Sequence, residues 1–453
     1  MYRIEDIDKI NLNINKIKDI ADEVYKKNNE PTLDENSLVY KCIMNYIITK
    51  KKIVYGGTAQ NLLIVEKNKN DSFYRDVNGV YYNWPEIADI EFYSPTPIKD
   101  AMELSEELYN KNFKNIDCKE GINSETYKIF VNFINYCDIS YMPINIYSNL
   151  PTITVNNIIC ASPYFMALDA YRVLTDPLTS YWRLEKSIFR FQKILSYYPF
   201  DKSLLEKKIF LNKYDDNVKR FIRKNIIHNS KLILVGYYAY NYYIKKACKE
   251  YIIKNFSYYE AITTNNFLKD AQHIYKILKK KYKNNIKTKE FYPFFSFLDK
   301  RIEYYYDNIL IFILYGNNNR CTVYNYSKKK KTHFGTFNLV LMYLLFNYYY
   351  YIINKLNNLS NNNSILISKF FYSRNIYLDK HNITVIDKSP FQDFTMNCYG
   401  DTIDPRRLSF LEKKKKFKYN PTGKISKLPI HNFNNNSGNQ ILNEKYLILK
   451  KKK

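Results

Sequence analysis

The stretch KKIVYGGTAQNLL, residues 51–63, decides the fold. Its apolar start predicts a strand over Lys52–Tyr55, and the residues after its two glycines predict a helix. Gly56 and Gly57 therefore stand where the backbone can approach a phosphate closely and where the helix N-terminus offers free N–H groups. Thr58 adds a hydroxyl at the same place. Because many strand–helix turns contain glycines for steric reasons alone, a phosphate-binding loop needs support from a second feature.

A pair of acids follows in the segment Ile87–Tyr93, which alternates as a strand. Asp89 and Glu91 are two residues apart, so their carboxylates project from the same face of that strand. Like charges held this close repel each other, and a divalent cation between them relieves the repulsion. Asp138, in the strand-like segment YCDISY, supplies a third acid. Three carboxylates on neighbouring strands can hold two Mg²⁺ ions, one activating an attacking 3′-hydroxyl and the other holding a triphosphate.

The bulk composition excludes some classes of function and leaves others open. The 453 residues suggest two or three domains, and the formal charge of +26 favours a polyanionic partner. AT-rich coding, visible in the abundant Asn, Tyr and Ile, produces the same bias, so the charge alone decides nothing. No GxxxxGK[ST] loop occurs, and the five histidines are thinly spread without a nucleophile elbow.

Cysteine usage and hydropathy indicate an intracellular protein without a membrane partner. The seven cysteines are scattered with no CxxC pair, which indicates neither a zinc module nor a disulfide framework and fits a reducing compartment. The N-terminus mixes charges throughout and lacks the apolar core of a signal peptide. The most apolar segment, Phe337–Ile353, is short for a span and is interrupted by Asn338 and Asn347, so a buried helix is expected there.

A second stretch of the chain repeats the first. Residues 231–243, KLILVGYYAYNYY, resemble residues 51–63, with Gly236 at the position of Gly56. Further on, Lys269-Asp270-Ala271 repeats Lys99-Asp100-Ala101 in the same order. Two matching blocks at a similar offset favour a duplicated domain over chance matching in a Tyr- and Lys-rich background.

The order of a glycine pair, a D-x-E strand and a later acid is similar to the polymerase-β-like nucleotidyltransferase superfamily. The fuller string IVYGGTAQNLL…IADIEFYSP resembles the poly(A) polymerase catalytic subunits of poxviruses, asfarviruses and mimivirus-like giant viruses. Residues 161–195 resemble the segment that follows the catalytic core in the giant-virus members. The resemblance implies template-independent transfer of AMP from ATP to RNA 3′ ends. It also implies Mg²⁺ or Mn²⁺ as cofactor, a homodimer, and a location in the host cytoplasm, at the viral factory, or in the virion.

The resemblance assigns roles by matching position. Gly56 and Gly57 correspond to the nucleotide-phosphate loop, and Asp89, Glu91 and Asp138 correspond to the catalytic metal ligands. The family often has Asp at the second acid, so the role of the longer Glu91 side chain is less defined.

A basic segment follows the predicted core. Arg183, Lys186 and Arg190 are spaced three or four residues apart, which places them on one helical face. Such a face can hold the triphosphate of ATP or the RNA backbone, although charged helices are more often simply solvated. Tyr181 and Trp182 beside it offer a stacking surface for a base, although core packing is the commoner role of such rings.

The predicted architecture is an α+β (α/β) fold in which a nucleotidyltransferase domain with a mixed sheet and flanking helices precedes a degenerate copy. The expected boundaries are a helical segment 1–50, a catalytic domain 51–200, a degenerate copy 201–410, and a basic, flexible tail 411–453. Sequence alignment places Tyr259 and Ala261 at the positions of Asp89 and Glu91, with Tyr237 replacing Gly57. It also places Cys321 or Thr322 near the third acid, so the second copy is expected to be inert.

Two alternatives remain open at this point. One is a terminal nucleotidyltransferase with another substrate, and the other is a non-catalytic RNA-binding or processivity subunit. The intact acids of the first copy argue against the second alternative, since a subunit without catalysis has no need of them.

Overall fold

The computed structural model describes residues 3–29, 32–73, 90–122, 125–209, 215–264, 266–291, 293–295, 298–317, 320–400, 417–425 and 441–442. Its α-helices are, in chain order, α1 Ile4–Asn29, α2 Leu33–Thr49, α3 Gly56–Lys67, α4 Pro97–Asn110, α5 Ile144–Tyr147, α6 Pro163–Thr175, α7 Pro177–Ser180, α8 Leu184–Tyr197, α9 Asp216–Ile222, α10 Gly236–Ala247, α11 Phe267–Tyr282, α12 Phe337–Ile353 and α13 Asn357–His381. Its strands are β1 Ile53–Tyr55, β2 Ile90–Ser94, β3 Asp117–Glu120, β4 Thr126–Val131, β5 Ile134–Tyr141, β6 Thr152–Val155, β7 Ile158–Ala161, β8 Ile233–Val235, β9 Tyr259–Thr263, β10 Ile286–Phe291, β11 Arg301–Tyr306, β12 Ile309–Gly316, β13 Thr322–Ser327, β14 Thr332–Gly335, β15 Cys398–Tyr399, β16 Lys418–Tyr419 and β17 Ile441–Leu442.

The first sheet is mixed and contains the strand that precedes the glycine pair Gly56-Gly57. Its described strands follow the order β16-β3-β4-β5-β2-β1-β7-β6. Strand β1 is antiparallel to β2 and parallel to β7, while β2 is parallel to β5. Helix α3 follows β1 as predicted, but it begins at Gly56, so both glycines lie within its first turn and not before it. The prediction of an α+β fold with a mixed sheet and flanking helices is confirmed.

The second sheet repeats the centre of the first. Its described strands follow the order β15-β13-β14-β8-β9-β12-β11-β10-β17. The central strands β12-β9-β8-β14 have the same relative directions as β5-β2-β1-β7: β8 is antiparallel to β9 and parallel to β14, and β9 is parallel to β12. The two sheets therefore share one four-stranded core topology, which is the structural form of the sequence repeat.

Local hydrogen bonds repeat as well. The backbone N–H of Phe73 donates to Asn61 Oδ1 at 2.7 Å, and the N–H of Ile253 donates to Asn241 Oδ1 at 2.9 Å. In both copies an asparagine on the helix after the glycine thus fixes the loop that leaves that helix. An amide side chain supplies both an acceptor and donors, so it can hold a loop backbone where an apolar residue cannot.

The structure corrects the alignment of the acids between the two copies. The last residue of β1 pairs with Glu91, and the last residue of β8 pairs with Glu260. Glu260 therefore stands where Glu91 stands, and the assignment of Tyr259 and Ala261 to the positions of the two acids is wrong by one residue. The segment between the glycine and the acid is shorter in the second copy, so sequence alone offers no anchor for the register.

Helix α12 is the buried helix that the sequence predicts at Phe337–Ile353. Its two interrupting amides are buried, and Asn347 faces inward to Glu260, whose Oε2 lies 3.0 Å from the amide nitrogen. The helix also packs on α6 of the first half, where Tyr349 and Ser162 share a hydroxyl hydrogen bond of 2.8 Å. Within the described ranges, no helix is both long enough and apolar enough to cross a bilayer.

One pair of cysteines forms a disulfide, although the scattered cysteines of the sequence predict none. Cys321 and Cys398 form a disulfide that joins the region of β13 to β15, with their Cα atoms 5.4 Å apart. Five other cysteines are free and buried, namely Cys42, Cys118, Cys137, Cys160 and Cys248. The two paired residues are 77 positions apart, so no local spacing signals their proximity.

Parts of the predicted tail 411–453 belong to the sheets. Residues of β16 pair with β3 at the edge of the first sheet, and β17 pairs with β10 at the edge of the second. Glu106 on α4, only 4% exposed, holds the segment after β16: its carboxylate accepts from the N–H of Thr422 at 3.1 Å and of Gly423 at 2.8 Å. The Tyr419 hydroxyl donates to the same carboxylate. For these described residues the chain is part of the fold and not a free extension.

Replacing Glu106 with alanine is expected to release residues 417–425 from α4. Three donors lose one buried acceptor, and we expect the free energy of unfolding to fall by about 2 kcal/mol. Hydrogen exchange at the amides of Thr422 and Gly423 should accelerate. Glu107→Ala is the matched control, because Glu107 forms an exposed ion pair with Lys111 one position along the same helix. Equal exchange in both variants would contradict this account of the attachment.

Candidate active site

Two of the predicted acids meet at the centre of the first sheet. In the parallel pairing of β2 with β5, Glu91 lies directly opposite Asp138. Residues opposite each other on neighbouring strands project from the same face, so the two carboxylates share one side of the sheet. Asp89 lies outside the described residues. The predicted juxtaposition of Glu91 and Asp138 therefore has a simple origin in strand register.

Glu91 and the glycine pair are in direct contact. The backbone N–H of Gly57 donates to Glu91 Oε2 at 3.1 Å. Gly56 has a φ of +67°, and a Cβ built on it would lie 2.5 Å from Glu91 Cδ. Only glycine fits there, because that φ is strained for other residues and the carboxylate takes the space of a side chain. The position of the Glu91 carboxylate therefore favours glycine at residue 56, and the N–H of Gly57 points toward that carboxylate.

Thr58 and Gly57 lie in the first turn of α3, and Thr58 is buried. The structure thus places all three predicted loop residues, Gly56 included, at the N-terminus of α3 beside Glu91. The first backbone N–H groups of a helix have no partner within the helix, which makes this end suited to an anion.

The environment of Glu91 disfavours its charge. Its half-buried carboxyl loses water, and the nearby charge of Asp138 adds repulsion; together they raise the pKa of Glu91 to about 7, against the opposing hydrogen bond from Gly57. Two carboxylates that repel in this way are the donor set that a hard divalent cation stabilises. The residues present therefore fit a Mg²⁺ or Mn²⁺ ion.

Asp138 has partners that the sequence analysis missed. Lys128 Nζ lies 2.7 Å from both carboxylate oxygens, and Asn135 Nδ2 donates to Oδ1 at 3.0 Å. Lys128 stands opposite Asp138 in the antiparallel pairing of β4 with β5. The segments that form β4 and β5 are adjacent in the sequence, so the cross-strand position of Lys128 was a usable signal. The ammonium group orients the Asp138 carboxylate.

Helices α6 and α8 add charges around the acids. Asp169 on α6 adds to the repulsion that raises the pKa of Glu91, and Arg190 on α8 opposes it. Arg172 pairs with Asp169 at 2.9 Å. Asp169 lies far along the chain from the other acids, and no motif marks it. Sequence reasoning therefore had no means of placing it near the site.

The predicted basic face is only partly continuous. Arg190 is half-buried and its guanidinium lies 5.6 Å from the Phe73 ring, on the side of α8 near the acids. Lys186 is exposed on the same helix. Arg183 precedes α8, in a short 3₁₀ turn, so the assumption of one unbroken helix is wrong for it. Its guanidinium lies 4.5 Å from the exposed ring of Trp182.

The second copy retains one acid and uses it differently. Glu260 is 2% exposed and accepts from the Tyr315 hydroxyl at 2.9 Å and from the Asn347 amide at 3.0 Å. A Cβ on Gly236, whose φ is +61°, would lie 2.5 Å from Glu260 Cδ. The glycine–glutamate contact of the first copy is therefore preserved, but the carboxylate is enclosed by side chains.

The other two acid positions of the second copy are not acidic. Ile313 on β12 pairs with Glu260 as Asp138 pairs with Glu91, so Ile313 holds the third position, and the expectation of Cys321 or Thr322 there is wrong. Counting back two residues from Glu260 gives Tyr258 at the first. The ring of Tyr237, at the position of Gly57, packs on Tyr258 at 5.3 Å. One buried carboxylate cannot hold a pair of metal ions, which supports the prediction of an inert second copy.

Among the residues that the structure describes, no three His, Cys, Asp or Glu side chains are grouped to hold a metal ion. Glu91 and Asp138 are the two candidate ligands among these residues, and the third predicted ligand, Asp89, lies outside them.

Comparisons with known proteins agree with this geometry. Residues 41–180 match a family model described as the poly(A) polymerase catalytic subunit, and residues 192–451 match one for the C-terminal part of a putative giant-virus poly(A) polymerase catalytic subunit. The putative poly(A) polymerase catalytic subunit of Acanthamoeba polyphaga mimivirus is 32% identical, over 93% of this chain and 80% of that protein. The corresponding protein of African swine fever virus (strain Badajoz 1971 Vero-adapted) is 28% identical, over 45% of this chain and 42% of that protein. The crystal structure of the Megavirus polyadenylate synthase superposes with a TM-score of 0.79 at 29% identity, covering 92% of this chain and 86% of the other.

Proposed function

The chain belongs to the family of poly(A) polymerase catalytic subunits and is a polynucleotide adenylyltransferase, and on that premise we propose how its residues divide the work. The substrate pair is ATP and an RNA 3′ end: the terminal hydroxyl attacks the α-phosphate, a new phosphodiester bond forms, and pyrophosphate leaves. The observation that carries the proposal is the register that sets Glu91 against Asp138 beside a helix N-terminus.

Glu91 and Asp138, together with Asp89 two residues before Glu91 in the sequence, would hold the divalent cation. When bound, such an ion neutralises phosphate charge and makes the 3′-hydroxyl a stronger nucleophile. Oxygen ligands accept both Mg²⁺ and Mn²⁺, and the donor set does not choose between them. Lys128 orients the carboxylate of Asp138, and Gly57 orients the carboxylate of Glu91.

The remaining residues bind and orient the substrates. The N-terminus of α3, with Gly56, Gly57 and Thr58, faces the acids and suits the phosphates of ATP. Arg190 and Lys186 on α8 add cations on the side that leads out to solvent. Arg183, beside the exposed ring of Trp182, fits a more distant part of the RNA or nucleotide. Catalysis of this kind depends mainly on positioning and electrostatic stabilisation, which these fixed groups supply.

We further propose a homodimer and a location in the host cytoplasm, at the viral factory or in the virion. Helix α1 supports the dimer, because Ile7, Ile14 and Ile17 expose between 36% and 53% of their surface along one side. An apolar stripe of this kind on a helix is typically covered by another chain. Relatives encoded by large DNA viruses support the location.

Primer extension with purified protein tests the proposed reaction. A short RNA primer is incubated with Mg²⁺ or Mn²⁺ and with each nucleoside triphosphate in turn. We expect extension with ATP, because the family transfers AMP. Efficient extension with a different nucleotide alone would keep the chemistry and replace the substrate. RNA binding without extension under every condition would reject the reaction and favour a non-catalytic RNA-binding subunit.

A further inference from the structure

A basic pocket lies in the inert second copy, away from the acids of the first. Its volume is about 480 Å³, within the range of small-ligand sites. It opens between α9, the start of α10 and the loop before β9. Six of its lining residues are cationic, namely Lys219, Arg220, Arg223, Lys245, Lys254 and Lys330, and one, Asp216, is acidic.

This pocket is not the remnant of a second active site. Tyr259, which lines it, is the neighbour of Glu260 on β9. Adjacent residues of a strand project from opposite faces, so the pocket and the buried carboxylate lie on opposite sides of β9. The cations therefore do not compensate Glu260, which has its own partners in Tyr315 and Asn347.

The cations that line the pocket have few acidic partners. The one acid, Asp216, is largely exposed and is engaged by Lys219 at 3.3 Å. Among the described residues, Arg223, Lys245 and Lys330 form no ion pair with a carboxylate. Bringing several cations together costs electrostatic free energy, and an anion in the pocket would recover it.

Lys330 shows the consequence most clearly. It is half-buried, with its ammonium 4.9 Å from the Tyr238 ring and 5.3 Å from the Phe334 ring. Burial, with the charges of Lys245 and Arg223, lowers the pKa of Lys330 to about 8. The aromatic faces stabilise the ammonium partly, but they are weak partners compared with a phosphate oxygen. The lysine is therefore held in place before any ligand arrives.

Aromatic side chains form the floor of the pocket. The rings of Tyr238 and Phe256 both pack against Tyr259, with centroids 5.2 Å apart in each case. Tyr259 and Phe256 are buried, so these rings form a rigid base beneath the cationic walls, and the walls suit the phosphates of a nucleotide unit.

We propose that this pocket binds the phosphate groups of a nucleotide ligand, supplied either by the RNA strand or by a free nucleoside triphosphate. This proposal rests on the proposed function only in naming RNA as a ligand. It is tested by a binding measurement that does not require the enzyme to turn over. A second nucleotide-binding surface on the inert copy would give that copy a role after the loss of its acids.

The test compares two double variants of equal charge change. Arg223→Gln with Lys330→Gln removes two pocket cations, and Lys276→Gln with Lys280→Gln removes two exposed cations of α11. Binding of a fluorescent oligo(A) RNA is measured by anisotropy across a salt series, with ATP and pyrophosphate as competitors. Thermal unfolding of each variant checks that the fold is intact. A second pocket variant combines Lys245→Gln with Lys254→Gln. Both lysines are exposed at the pocket rim, so this variant repeats the test without changing contacts to the aromatic floor.

We expect the pocket variants to weaken oligo(A) binding by about tenfold and to reduce the salt slope of log K by about 1.4, which is roughly 0.7 for each lost contact with a single strand. Weaker binding of ATP with unchanged oligo(A) binding would identify the free nucleotide as the ligand. Equal effects of the α11 variant, or no effect of either pocket variant, would overturn the proposal. Wild-type protein that binds through the pocket but never extends a primer would reject the proposed reaction and leave the pocket standing.

Discussion

Replacing Asp138 with asparagine is expected to reduce AMP transfer on the order of a thousandfold, with the fold intact. Asparagine keeps the shape and can still contact Asn135, but it lacks the charge that holds a divalent cation opposite Glu91. Steady-state primer extension with saturating ATP and RNA measures the loss as a fall in kcat. Lys128 loses its ion pair in this variant, but its side chain is 28% exposed, so water can solvate it.

Asp307→Asn is the matched control for that substitution. Asp307 lies in the exposed turn between β11 and β12 at a φ of +46°, a conformation that asparagine also tolerates well. Its activity should equal that of the wild type. A kcat for Asp138→Asn within a few-fold of the control would remove Asp138 from the metal site, whatever the state of Glu91.

Replacing Gly56 with alanine is expected to lower the free energy of unfolding by about 3 kcal/mol, because the left-handed backbone and the collision with Glu91 act together. The Cβ of an alanine at this position would lie 2.5 Å from the carboxyl carbon of Glu91. Glu91 must then move, which breaks its hydrogen bond with Gly57 and its alignment with Asp138. AMP transfer should fall with stability. Chemical denaturation followed by circular dichroism measures the first effect.

Gly57→Ala is the matched control, because it adds a methyl group to the same loop without the left-handed backbone and without the collision with Glu91. Gly57 is helical and lacks the positive φ of Gly56, so alanine is compatible with its backbone. Its unfolding free energy should stay close to the wild-type value. If Gly56→Ala proved as stable as Gly57→Ala, the contact between Gly56 and Glu91 could not be the reason for glycine at that position.

The sequence was sufficient where local pattern sets structure. The strand–helix turn at the glycine pair and the alternating strand that carries Glu91 follow from side-chain periodicity. The pairing of β4 with β5 places Lys128 against Asp138, a contact that the sequence contained and that was overlooked.

Long-range features required the structure. The register of the second copy depends on a connecting segment of different length, so Glu260 was hidden by a shift of one residue. The approach of Asp169 to Glu91 and the pairing of Cys321 with Cys398 depend on how helices and strands assemble, not on local spacing. The attachment of residues 417–425 to Glu106 lies in a segment whose composition reads as a tail, because Lys and Asn dominate it.

The preserved contact between Gly236 and Glu260 changes what counts as a sign of lost activity in duplicated enzymes. Glu260 accepts hydrogen bonds from the Tyr315 hydroxyl and the Asn347 amide, so its removal would leave two buried donors without an acceptor whether or not the lobe is catalytic. The position that corresponds to Asp138 holds Ile313, so no acid is present there. For a related chain of unknown competence, the residue on the parallel strand next to the glycine-bound glutamate is therefore the informative one to inspect, and the glutamate itself is a poor guide.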